Sequence, residues 1–194
     1  EMSSGKDRII VNCGMPENAS KEWQQALRST AAHSTIVVNN SNSSEITPVG
    51  GFLGKPGQVT TSRRAIDGST IIEASFDGYL KKFGVTHRRL IMLAPDGSEI
   101  QGEDNLIGSR DHQYNLRFHL HPNVQATTLQ DQCTAILKPR KGTGWRFTCV
   151  DQIISLEESI YFDRNSRHRR TQQIVASGSL GKYGATIKWR FSKI

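Results

Sequence analysis

The sequence has no long hydrophobic run, few aromatic residues and only three cysteines, and each shortage excludes something. No apolar stretch approaches the roughly 18–20 residues that a helix needs to cross a bilayer, so no membrane span is expected. The opening "EMSSGKDRII" lacks the charged-then-apolar layout of a secretory leader. Cys13, Cys133 and Cys149 are odd in number, and no two have the close spacing of a zinc knuckle. Buried free thiols in a reducing compartment follow, the cytoplasm in preference to the periplasm, with a Cys133–Cys149 bridge between neighbouring strands as the alternative. Also missing are a nucleophile elbow, a phosphate-binding glycine loop and any repeat of fixed period.

Helical periodicity is scarce as well. Only "NASKEWQQALR" shows it, with Ser20 as N-cap before Trp23, Ala26 and Leu27 at i, i+3 and i+4, enough for one or two turns. What fills the chain instead, from residue 69 onward, is short alternation of apolar and polar residues between Gly, Pro, Asp and Asn: "STIIEASFDGYL", "VTHRRLIMLAP", "LRFHLHP", "CTAILKP", "GWRFTCV", "SIYFDR", "TQQIVASGSL" and "ATIKWRF". This spacing reads as antiparallel strands. Asp96-Gly97 in "LIMLAPDGSEI" marks a tight hairpin, because glycine accepts the positive φ it requires, and Gly181-Lys182 marks a second one. The Asn-, Ser-, Gly- and Pro-rich stretch 39–67 reads as a long irregular loop. A chain of 194 residues, 36% hydrophobic, fits one domain over 1–194, and ten or more strands predict an all-β, antiparallel two-sheet β-sandwich.

Charge points outward. Lys and Arg number 25 against 18 Asp and Glu, a net +7 that favours an anionic partner. The one dense run, "RNSRHRR" at 164–170, has no flanking pair of aromatics on which bases could stack, so nucleic acid is disfavoured and the run is expected in a loop. In "NLRFHLHP", Arg117, His119 and His121 share one strand face while Leu116, Phe118 and Leu120 turn to the core. Two histidines at i and i+2 can in principle reach one metal, or simply occupy a half-exposed sheet. His33 stands just before an apolar run where a strand would start, at a sheet rim, and the stretch 77–89 supplies Asp77, Tyr79, His87, Arg88 and Arg89.

Six phrases, "LRSTAAHSTIVVNNSNSSEI", "FDGYLKKFGVTHRRLIML", "LRFHLHPNV", "GWRF", "LEESIYF" and "RRTQQIVASG", together resemble the C-terminal part of bacterial heparinase II/III-like proteins over most of residues 25–190. That resemblance implies polysaccharide lyases of acidic glycans, built from an N-terminal α/α-toroid and an antiparallel β-sandwich, of which this chain is the sandwich half. Eliminating across a uronic acid requires offsetting the carboxylate charge while a base removes the neighbouring proton. One sheet surface does not surround a sugar ring well enough for both, so the sandwich alone is expected to be inactive or nearly so. By the resemblance, His33 matches the histidine opening the family's His-Asn-Thr-like strand and is the candidate catalytic residue, with Ser34 standing where Asn is commoner. His87 matches a histidine that some relatives use for a structural divalent ion, which implies one zinc or calcium ion with Asp77 as the nearest acidic candidate. Arg88, Arg89, Arg117, His119 and His121 are the candidate substrate-binding residues, since arginine suits bidentate recognition of carboxylate or sulfate. The expected partners are an anionic poly- or oligosaccharide and the toroid. The alternative is a non-catalytic glycan-binding or structural sandwich.

Overall fold

The computed structural model describes residues 1–47, 51, 57–163 and 167–194. Two antiparallel sheets pack face to face. The smaller is built from β1 (Met2–Ser4), β2 (Asp7–Val11), β3 (Ile36–Val38), β8 (His112–Leu120), β12 (Ile154–Phe162) and β13 (His168–Leu180), in the order β1-β2-β8-β13-β12 with β3 also pairing with β8. The larger runs β4-β5-β6-β7-β14-β11-β10-β9, with β4 (Val59–Ile66), β5 (Ser69–Phe76), β6 (Thr86–Leu93), β7 (Glu99–Ile107), β9 (Val124–Thr128), β10 (Thr134–Pro139), β11 (Trp145–Val150) and β14 (Ala185–Lys193). Two short helices, α1 (Lys21–Arg28) and α2 (Leu80–Phe83), complete the regular structure. No helix among the described residues is long and apolar enough to cross a membrane.

The core forms where alternation turns apolar side chains from both sheets inward. Phe118 of β8 meets Phe147, Trp189 and Phe191 of the larger sheet with ring centroids 5.0–5.5 Å apart. Each such aromatic buries enough surface to make its truncation cost about 3–5 kcal/mol. Gly102 on β7 is required by this packing, because a Cβ there would overlap the Trp189 ring. The Asp96-Gly97 hairpin joins β6 to β7, with Gly97 at φ 66° and Asp96 Oδ1 accepting from Ser98 N–H. The Gly181-Lys182 hairpin joins β13 to β14, closed by backbone bonds between Gly181 and Gly184.

Two sequence expectations need adjustment. The stretch 39–67 is not loop throughout: residues 39–47 lie outside any named strand or helix and residues 48–50 and 52–56 lie outside the described residues, but 59–66 forms an eight-residue edge strand. Every residue of β4 is exposed, so neither face carries the apolar alternation by which a strand is recognised. The run 164–170 is loop only in part, since His168, Arg169 and Arg170 begin β13, while residues 164–166 lie outside the described residues. The expectation of free thiols holds for all three cysteines, with Cys133 only partly buried; Cys133 and Cys149 are neighbours, joined by a 2.9 Å bond from Cys149 N–H to the Cys133 carbonyl, but they form no bridge. Burial pushes the Cys149 thiol up to about 12 and raises that of Cys13, so neither is a thiolate at neutral pH.

Candidate functional site

The segment carrying His33 lies across the outer face of the smaller sheet. Ser20 caps α1, accepting from Trp23 N–H, and α1 sends Leu27 into a second small core with Cys13, Ala32 and Phe162. A 3-10 turn at Thr30–Ala32 follows and delivers His33, whose N–H closes it on the Thr30 carbonyl at 3.1 Å. His33 is half-buried, not sealed in the interior, and its ring makes no hydrogen bond to another described residue. Burial lowers its pKa, so the imidazole is neutral near pH 7, the form able to accept a proton.

Beneath it is His119, pointing away from the sandwich core as the alternation of β8 requires, yet only 2% exposed because residues 13–35 cover it. Its Nε2 lies 2.9 Å from the Ala31 carbonyl, which can only accept, so that nitrogen carries the hydrogen. Nδ1 therefore accepts from the Ser159 hydroxyl at 2.7 Å. Burial drives the His119 pKa down to about 4, against the opposing pull of the Ala31 carbonyl. Cys13 Sγ is 3.6 Å from the same Nδ1, but with its thiol pKa raised this is packing and not an activated nucleophile.

Ser34 joins everything. β2 and β3 both pair with β8, along different stretches, and Ser34 sits in the gap between them. Its N–H donates to Asn12 Oδ1 at 2.9 Å, its hydroxyl donates to the Val11 carbonyl at 2.7 Å, and its Oγ accepts from His119 N–H at 2.9 Å. Its carbonyl accepts from Arg89 Nη1 at 2.9 Å, a contact that reaches through the sandwich from the other sheet. Both donors of Ser34 and both of its oxygens are engaged here.

The candidate arginines do not converge. Arg88 and Arg89 are consecutive on β6 and so face opposite ways. Arg88 Nε binds Glu73 Oε1 at 2.8 Å on the outside of the larger sheet, whereas Arg89 turns in between the sheets. Arg117 stands on the outside of the smaller sheet, its Nη1 3.2 Å from both Glu157 Oε2 and Gln173 Oε1. Of the three, Arg117 alone shares a face with His119 and His121, and all three are ion-paired within the chain. His121 packs its ring edge-on to Tyr161 at 5.0 Å, and burial with the nearby charges of Arg8 and Arg169 lowers its pKa.

The metal expectation meets a different partner. His87 donates Nε2–H to Asp104 Oδ1 at 2.6 Å, not to Asp77, whose Oδ1 accepts from Gln58 N–H. The same Asp104 Oδ1 receives Arg89 Nε at 2.7 Å, and its Oδ2 receives Trp189 Nε1 at 2.7 Å. Asp104 is fully buried; burial alone would raise its pKa, but the Arg89 charge and the His87 hydrogen bond hold it well below the usual carboxylate range. No group of three or more His, Cys, Asp or Glu among the described residues could hold a metal ion. The sequence reading overlooked Asp104, although Ile100, Gly102, Asp104 and Leu106 share the inward parity of β7 and an acid in that series is a signal.

His33 is thus a half-exposed histidine on an antiparallel sandwich, with its neighbours Ala31 and Ser34 bonded to the smaller and the larger sheet. The chain belongs to the heparinase II/III-like C-terminal domain family, whose model matches residues 1–190. It is 28% identical over 215 residues to the FtsZ-localized protein C of Caulobacter vibrioides, covering all of this chain but 36% of that protein. Its fold matches the heparan sulfate lyase HepC of Pedobacter heparinus with a TM-score of 0.76 at 12% identity, over 95% of this chain and 28% of that one. A heparinase III structure matches with a TM-score of 0.69 at 12% identity, over 96% of this chain and 27% of that one. The chain thus spans about a third of the curated relative and just over a quarter of the solved lyases.

Proposed function

We propose that this chain is the sandwich wall of a polysaccharide lyase site for uronate-containing anionic glycans, completed by a toroid domain in the longer protein and inactive or nearly so by itself. The observation that carries this reading is His33: neutral, half-exposed, with no side-chain hydrogen bond among the described residues, on a segment fixed from both sides. It has what a proton-transfer group in β-elimination needs, a fixed position and a pKa below neutrality. The net +7 charge would draw an anionic polymer toward it, and Arg117 could exchange Glu157 for a substrate carboxylate.

The second reading, a non-catalytic glycan-binding or structural sandwich, is favoured by one observation: each candidate arginine is already paired with a carboxylate of the chain. The two separate in a single assay. The longer protein is incubated with a panel of uronate polysaccharides and the absorbance of the unsaturated product is followed. The lyase reading expects product from at least one polymer and its loss in His33→Ala; no product from any of them leaves the second reading standing.

A further inference from the structure

We propose that Arg89 is the sandwich's own internal cation, standing where the family resemblance calls for a divalent metal, and that this chain needs no ion to hold the segment of His33. The donor set carries the inference. Asp104 Oδ1 is shared between His87 Nε2 and Arg89 Nε at 2.6 and 2.7 Å, and Oδ2 is taken by Trp189 Nε1 at 2.7 Å. Zinc takes four ligands and calcium six or more oxygens, but among the described residues one carboxylate and one imidazole are all that face each other here. A divalent ion on Asp104 would also sit beside the Arg89 guanidinium in a low-dielectric interior, where like charges a few ångströms apart repel strongly.

The guanidinium does what a structural ion would do. It neutralises a carboxylate that is fully buried, a charge too costly to leave uncompensated. It also bridges, because the planar fork that gives Nε to Asp104 gives Nη1 to the Ser34 carbonyl at 2.9 Å, next to His33. Its Cζ also lies over the neighbouring rings of Phe118 and Trp189, 5.9 and 5.8 Å from their centroids, within the range of a cation–π contact. The inference concerns what holds the sheets together, so it would survive a negative elimination assay.

The test begins with the unaltered chain, expressed with zinc and calcium in the medium, by elemental analysis and by melting with and without EDTA. Far less than one ion per chain, and a Tm that moves by under about 1 °C with EDTA, is the expected result. One tightly held ion per chain, or a Tm lowered several degrees by EDTA, overturns the proposal. A double-mutant cycle then tests the charge pairing. Arg89→Met and Asp104→Asn are each expected to lower Tm by roughly 6–15 °C, and the double variant by clearly less than their sum. Strict additivity would show that the two charges do not compensate one another. Should the single variants fail to fold, the ion content of the unaltered chain decides.

Discussion

The two sheets grip the segment around His33 by different chemistry. From the larger sheet the grip is ionic and interior: buried Asp104 orients Arg89, and Arg89 holds the Ser34 carbonyl. From the smaller sheet it is neutral and lies on the outer face: His119 donates to Ala31 and offers its N–H to Ser34 Oγ. The contrast shows how the chain on either side of one histidine can be tied down without enclosing it, since each sheet contributes from its own side and the His33 ring bonds to no side chain among the described residues. It also makes the two grips respond differently to mutation and to pH.

The largest effect is expected on the ionic side. Asp104→Ala leaves Arg89 as an uncompensated buried charge and strips partners from His87 and Trp189, and should cost about 3–5 kcal/mol by urea denaturation. A loss below about 1 kcal/mol would mean that the interior cluster is dispensable.

Acidification should act on the neutral side. The folded pKa of His119 is depressed to about 4, below its unfolded value, so the unfolded chain binds the proton first and stability falls as pH drops from about 6.5 toward 4. The loss from this group is about 3 kcal/mol over that window, and His33 and His121, also lowered, add in the same direction. Asp104 contributes nothing there: its folded pKa is depressed, so its stabilisation is complete above the unfolded carboxylate pKa near 4 and is lost only below it. Denaturation curves at pH 7 and pH 5 should differ in the unaltered chain and differ less in His119→Gln.

Ser34→Ala loosens the neutral grip alone and should cost about 1–2 kcal/mol, because the Val11 carbonyl and the His119 N–H each lose a partner while the backbone bonds, that to Arg89 included, remain. Arg88→Ala marks the low end. Its bond to Glu73 is a solvent-facing pair outside both grips, and the unfolding midpoint should not move measurably.

Much of this architecture was legible in the residues. Alternation gave the antiparallel strands and two sheets, Asp96-Gly97 gave its hairpin, Ser20 gave the helix start, and the facing of Arg117, His119 and His121 away from Leu116, Phe118 and Leu120 was correct. Alternation fixes the direction of a side chain and not what covers it, which is why His119 read as half-exposed when it is buried under the 3-10 turn. The pairing of His87 with Asp104 depends on the register of β6 against β7, in which Arg89 stands opposite Asp104, and register is not written in either strand alone. Strand β4 escaped notice because an edge exposed on both faces has no period to detect.

The most direct measurement is the NMR titration of the His33 imidazole in the intact chain and in Ser34→Ala. The smaller sheet's hold through Ser34 predicts a single set of ring resonances with a pKa below 6.5, and a shift of both toward free-histidine behaviour when the Ser34 hydroxyl is removed. A ring that titrates at 6.5 or above in the unaltered chain, with averaged resonances indifferent to Ser34, would contradict it.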